Sequence, residues 1–285
     1  MILVSSDGAS PFRGGVRGNE LLFRVCSALV LIPLALATAY AGGWSFVALW
    51  AAAAVIVSSE WTSLIARGNS QLLFIAAAAC VLVALGVLAF GHCWIALAAV
   101  AIGAVACFAT APTGRRMWAA LGVFYAGALG AFPIVLRSDA DYGFSAMVFL
   151  FAIVWATDTG AYFIGRAVGG PKLFPRISPQ KTWSGALGGA AAAMLAGLAV
   201  AKAAVLSAPV PLVALSAILS ICAQGGDLFE SQMKRKFGAK DSGQLIPGHG
   251  GAMDRLDGFV AAACVAALIG VIRGPESPAR GLLIW

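Results

Sequence analysis

The sequence predicts an all-α fold, a polytopic integral membrane bundle of about nine transmembrane helices with its N-terminus in the cytoplasm. Three observations lead there. Of 285 residues, 61% are hydrophobic and only 11% charged, whereas a water-soluble domain carries about 25% charge. The apolar residues form runs close to the ~20 residues that a helix needs to cross hydrocarbon. Lysines and arginines gather in alternate segments between those runs, as in a chain threaded repeatedly through a bilayer.

The elements follow in order. Residues 1–23, "MILVSSDGASPFRGGVRGNELLF", are Gly- and Ser-rich without the layout of a cleavable signal peptide, and read as a cytoplasmic tail. Spans are predicted at 24–41, 44–66, 71–90, 92–112, 117–136, 143–165, 184–206, 209–230 and 254–273. Break signals such as "AGGW", "GNS", "APTGRR" and "SAPVP" separate them. Residues 24–142 form an N-terminal helical region. Residues 143–273 form a second helical region, where the candidate catalytic residues named below fall, with two long loops, 166–183 and 231–253, and 274–285 are a C-terminal tail. With the N-terminus inside, fifteen Lys and Arg fall on the cytoplasmic side and four outside, and both long loops are cytoplasmic. One span more or fewer would scramble that asymmetry. The natural location is a bacterial cytoplasmic (inner) membrane. Basic residues are not interleaved with aromatics, so no nucleic-acid surface is expected. The six cysteines sit in or beside apolar runs with no C-x-x-C pair, and read as packing residues.

Carboxylates inside membrane spans are expensive and usually functional. Glu60, Asp158, Asp227, Glu230, Asp254 and Asp257 all fall toward cytoplasmic span ends. Glu60, beside Trp61 and seven residues before Arg67, reads more readily as half of an ion pair. Asp227/Glu230 and Asp254/Asp257 are each three apart, on one face of a helix. Two such pairs converging would repel each other unless cations joined them. Mg²⁺ suits hard oxygen ligands and shares its shell with phosphates. The competing reading is pairing with Lys234, Arg235 and Arg255.

The long loops supply the complementary charge. "PKLFPRISPQKTWSG" carries Lys172, Arg176, Ser178, Lys181 and Thr182, and "SQMKRKFGAKDSGQLIPGHGG" carries Ser231, Lys234, Arg235, Lys240, Ser242 and His249. Glycines at 248, 250 and 251 let backbone N–H groups turn toward an anion. Metal, cations and backbone donors together are the equipment of phosphoryl or nucleotidyl transfer. A patch that only held anionic lipid headgroups would not need the acids. An ion-coupled transporter would place its acids near mid-bilayer. The run Gly185-x-x-x-Gly189 allows close helix approach, within the chain or at a dimer face.

The stretch "SQMKRKFGAKDSGQLIPGHGGAMDRLDG" (231–258) resembles the signature of the phosphatidate cytidylyltransferase, or CDP-diacylglycerol synthase, family. Its fixed positions are met by Ser231, Lys234, Arg235, Lys240, Asp241, His249, Gly250, Gly251, Asp254, Arg255 and Asp257. "DTGAYFIGR", "ISPQKTWSG" and "QGGDLFES" are similar to a second region of that family, except that Gln180 and Ser184 stand where Lys and Glu are frequent. A CDP-alcohol phosphotransferase, another metal-dependent lipid headgroup transferase, has a motif ending in two Asp four apart, which is not present. The resemblance implies an all-helical membrane enzyme that transfers a nucleotidyl group from CTP to phosphatidic acid, giving CDP-diacylglycerol and pyrophosphate. It implies Mg²⁺, suggests a second cation, and implies a homodimer. On this reading Asp227, Asp254 and Asp257 hold the metal, and Lys234, Arg235, Lys240 and Arg255 take the triphosphate. Lys181 and Arg176 take the lipid headgroup. Asp158, Ser178, Thr182, Ser231, Gly250 and Gly251 contact substrate, and Asp241 and His249 belong to the same site.

Overall fold

The computed structural model describes residues 29–66, 71–239, 241–243 and 250–285. The predicted tail 1–23, Lys240 and His249 lie outside the described residues. The chain forms ten helices among those described, α1 (Leu29–Ala41), α2 (Gly43–Ala66), α3 (Gln71–Ala89), α4 (Cys93–Thr110), α5 (Arg116–Arg137), α6 (Gly143–Val168), α7 (Trp183–Ala203), α8 (Pro209–Lys236), α9 (Met253–Arg273) and α10 (Pro278–Leu283). Helices α2 to α9 are long and apolar enough to cross a membrane; α1, thirteen residues as described, is the shorter apolar helix of the first span. The protein is an all-α polytopic membrane bundle, as its hydropathy predicts.

Three segments depart from the sequence reading. Residues 231–236, expected in a loop, are the last turns of α8. A hydropathy window stops where polar residues begin, but a helix does not have to. Lys234, Arg235 and Lys236 complement the negative end of the helix dipole, and Lys234 reaches Glu230 at i,i+4. Within 166–183 there is an antiparallel hairpin, β1 (Lys172–Phe174) and β2 (Ser178–Thr182), pairing Lys172 with Thr182 and Phe174 with Ser178. The predicted C-terminal tail contains α10, whose Pro278, Ala279, Gly281, Leu282 and Leu283 are buried against α9, α6 and α5.

In lipid, helices associate through close packing and hydrogen bonds rather than by escaping water. Helix α9 touches α2, α5, α6, α8 and α10. Trp50 of α2 stacks on Phe259 of α9 with ring centroids 4.7 Å apart. Trp61 of α2 stacks on Tyr125 of α5 at 5.1 Å and donates its indole N–H to Trp118 O at 2.8 Å. One buried core runs through both halves of the chain. Leu72, Val83, Trp94, Phe163 and Leu195 point outward, as lipid-facing side chains do. Helices α6 and α7 press together through small residues. A Cβ on Gly189 would lie 2.7 Å from Thr157 O, and one on Gly185 2.8 Å from Ala161 O. The Gly185/Gly189 face is therefore consumed inside the chain.

Candidate active site

Helices α6, α8 and α9 bring their acidic residues to one end of the bundle, where the hairpin covers them. Asp227, Glu230 and Lys234 recur on one face of α8. Asp254 and Asp257 occupy the first turns of α9. The two helices meet at Gly226, where a Cβ would stand 2.4 Å from Asp257 O. That contact sets Asp227 beside Asp257. Asp158 enters from α6, and Lys181 and Thr182 come from β2.

Together they line an open cleft of about 740 Å³. Its carboxylates are Asp158, Asp227, Glu230, Asp254 and Asp257, and its cations are Arg166, Lys172, Lys181, Lys234 and Arg255. A smaller cleft of about 200 Å³ shares Gln180 and Lys234 with the first, and also has Ser178, Ser231, Arg235 and Asp241 in its wall. Arg176, in the exposed hairpin turn, lines neither cleft. Thr182 accepts from Gly185 N at 3.1 Å and so caps α7 as well as facing the cleft. Ser184, where Glu is frequent in the family, bonds to Thr182 Oγ1 at 3.0 Å and to Gly169 O.

The acids are not equivalent. Asp254 is fully engaged by protein: one oxygen takes Lys234 Nζ, and the other accepts Gly251 N at 2.7 Å, Ser242 Oγ at 2.9 Å and Ser242 N at 3.1 Å. Asp227 pairs with Lys181, with Ser231 Oγ 3.4 Å away. Glu230 holds Lys234 Nζ at 3.3 Å through Oε2 and is buried beside Asp254 and Asp257. Asp158 and Asp257 have no cation within ion-pair distance among the described residues, and Asp257 feels the negative charges of Asp227 and Asp158. Unpaired carboxylates facing one another call for a cation.

Among the described residues, no three or more His, Cys, Asp or Glu stand close enough to make a complete metal cage. That fits Mg²⁺, which is usually held by one or two carboxylates and completes its shell with water and substrate phosphate. The donor set is all oxygen, and Asp158 and Asp257 face the cleft with no cation within ion-pair distance among the described residues. Gly251 N donates to an internal anion, Asp254 Oδ2, and Gly248 lies outside the described residues. Gly250, at φ +77°, would put a Cβ 2.7 Å from Asp254 Oδ2, and Gly251 would put one 2.4 Å from Glu60 Oε2.

Glu60 is the residue that the sequence reading underrated. Arg67, the cation near it in sequence when an ion pair was expected, lies outside the described residues; Glu60 itself is buried against the start of α9, accepts Ala252 N and Met253 N at 2.8 Å each, and stands 3.1 Å from Ser242 Oγ. The one signal in the sequence was its cost, an acid in a span otherwise apolar.

Comparison with known proteins gives the chain a family. The profile of the cytidylyltransferase family matches residues 22–272. A phosphatidate cytidylyltransferase of Brucella suis biovar 1 is 45% identical over 273 residues, covering 89% of this chain and 94% of that protein. One from Bacillus subtilis is 40% identical over 143 residues, 49% of this chain and 52% of its own. A cleft rich in both charges at one end of a membrane bundle, under a signature that runs from α8 into α9, thus sits in a chain matched along nearly its whole length, and the protein belongs to the cytidylyltransferase family.

Proposed function

We propose that the protein is a phosphatidate cytidylyltransferase, which makes CDP-diacylglycerol and pyrophosphate from CTP and phosphatidic acid in phospholipid synthesis. The observation that carries this reading is the larger cleft at the end of the spans, where five carboxylates meet five cations. One substrate stays in lipid and the other is soluble. A site at a bundle end lets the acyl chains remain among the helices while the headgroup meets the nucleotide, and holding both reactants there supplies part of the rate.

A phosphate oxygen of phosphatidic acid attacks the α-phosphorus of CTP. The bond from that phosphorus to the oxygen bridging toward the β-phosphate breaks, and pyrophosphate leaves with the electron pair. A phosphate monoester with a second pKa near ~6 is already ionised at neutral pH, so no strong general base is required. Asp227 and Asp257, with Asp158 beside them, are the residues to hold Mg²⁺, and Asp254 positions Lys234 and the start of α9. When bound, the metal neutralises charge on the transferring and leaving phosphates. Lys181 and Lys234 are held by Asp227, Glu230 and Asp254 at the cleft wall, ready to exchange part of that contact for phosphate oxygens. Arg255 faces the same cleft, and Arg235, Ser178 and Ser231 extend the phosphate-binding wall into the smaller one. Arg166, steadied by its bond to Tyr162 Oη at 2.9 Å, is better placed for the lipid headgroup than Arg176.

The fifteen-to-four charge asymmetry supports a cytoplasm-facing site in the bacterial inner membrane. A homodimer would use a face other than Gly185/Gly189, which α6 occupies. The test is direct. Purified protein in detergent, given CTP, phosphatidic acid and Mg²⁺, should release CDP-diacylglycerol and pyrophosphate in equal amounts and stop on chelation. Folded protein that releases neither would refute the reading.

A further inference from the structure

Helix α9 carries Asp254, Arg255 and Asp257 into the cleft, so whatever fixes its first turn fixes the site. A helix begins with orphan N–H groups that a side chain at its own N-cap usually satisfies. Here the N-cap is Ala252, which has no side-chain acceptor. The acceptor comes from α2, far away in sequence. Both Glu60 oxygens are used: Oε1 takes Ala252 N, and Oε2 takes Met253 N and faces Ser242 Oγ. The same hydroxyl stands 2.9 Å from Asp254 Oδ2, and Asp254 grips Lys234. Space is committed to this arrangement too. A Cβ on Gly243 would stand 2.7 Å from Glu60 Oε1, and one on Gly251 would stand 2.1 Å from Ser242 Oγ.

We propose that Glu60 is a positioning residue of the active site. It sets the start of α9 directly and the orientation of Asp254 through Ser242, and so places Asp257 and Arg255 for metal and nucleotide. The N-terminal half of the chain is thereby part of the catalytic apparatus. The proposal rests on the cleft being the cytidylyltransferase site.

A mere stabilising cap and a positioning residue make different predictions. In Glu60→Gln the shape is kept, but one acceptor becomes an NH₂ group facing donors. Thermal unfolding of the detergent-solubilised protein is followed as Mg²⁺ is titrated without substrate, and KM for CTP is measured at saturating Mg²⁺. A positioning role raises the Mg²⁺ midpoint by about tenfold or more, the usual consequence of losing a group that orients a metal ligand. A cap alone lowers the melting temperature at every Mg²⁺ concentration and leaves both the midpoint and KM at wild-type values, and that result overturns the proposal. If Glu60→Gln does not fold, Ser242→Ala removes the link to Asp254 while keeping the buried charge. It should raise the midpoint in the same direction, and an unchanged midpoint there is equally fatal. A wild type that neither responds to Mg²⁺ nor makes product would sink the reading of the cleft itself, and the positioning role with it.

Discussion

The two ends of the bundle use the same charged residue types for opposite purposes. At the end away from the cleft, Arg137 donates to the carbonyls of Ala39 and Tyr40 where α1 stops. Arg273 donates to Gly281 O and Ile284 O and lies over the Trp285 ring, closing the chain's end onto α9. Asp139 accepts Tyr142 N at 2.6 Å, Asp141 N at 2.9 Å and Ser277 Oγ. Each of these charges is used up by backbone ends and neighbouring hydroxyls. At the cleft end, Asp158 and Asp257 have no cation within ion-pair distance among the described residues, and carboxylates face one another. Away from the cleft, charge closes loops and chain ends; at the cleft, carboxylates gather toward one another.

The largest effect should come from removing a cleft carboxylate that has a single backbone donor, Gly258 N at 2.7 Å, and no cation within ion-pair distance among the described residues. Asp257→Asn should lower kcat on the order of 10³-fold, the loss typical of a preorganised electrostatic contact at the reacting centre. It should leave the melting temperature equal or higher, because a carboxylate repelled by its neighbours has gone. Steady-state kinetics beside a thermal melt in detergent checks both halves. A loss of activity that merely tracked unfolding would erase the distinction between the two ends.

Most of the bundle was legible because hydrocarbon thickness fixes both the length and the composition of a span. The acidic helix faces were legible because i,i+3 spacing survives any packing. The rest depended on contacts that hydropathy does not encode. The hairpin at 172–182 has two prolines in its polar run and no alternating pattern. The last turns of α8 extend past the apolar window on the strength of Lys234, Arg235 and Lys236. Asp254 has the spacing of a metal ligand, and its contacts with Lys234, Ser242 and Gly251 were not legible in that spacing. Glu60 was hardest, since its partners are backbone N–H groups nearly two hundred positions away and no side-chain motif marks them.

A middle-sized effect should follow from spacing alone. Gly226→Ala adds one methyl where Asp257 O stands 2.4 Å away, so α8 and α9 must part near the cleft. Misplacement by about 1 Å costs on the order of 10²-fold in rate. The same alanine at Gly86, which has open space around it, should leave kcat unchanged. Paired kinetics of the two variants would show whether the α8/α9 contact sets the site. Equal activities would mean that the cleft tolerates looser walls than its geometry suggests.

The smallest effect belongs to the far end and shows in pH rather than rate. Burial alone would raise the pKa of Asp139, but hydrogen bonds from Ser277, Tyr142 and Asp141 and the charge of Arg280 outweigh it and hold the carboxyl below its ordinary 3.8. A depressed pKa means that the folded protein binds this proton less readily than the unfolded chain. The stabilisation is therefore complete above the unfolded value and fades as pH falls from there through the folded one. Asp139→Asn should melt slightly below wild type at pH 7 with the same kcat, and the gap should close as the pH drops below about 4. Melting curves of both proteins between pH 3 and 7 measure it. A gap that persisted at pH 3 would show that Asp139 holds Ser277 and the α5–α6 turn by shape rather than by charge, and the far end would lose its clearest example of a satisfied carboxylate.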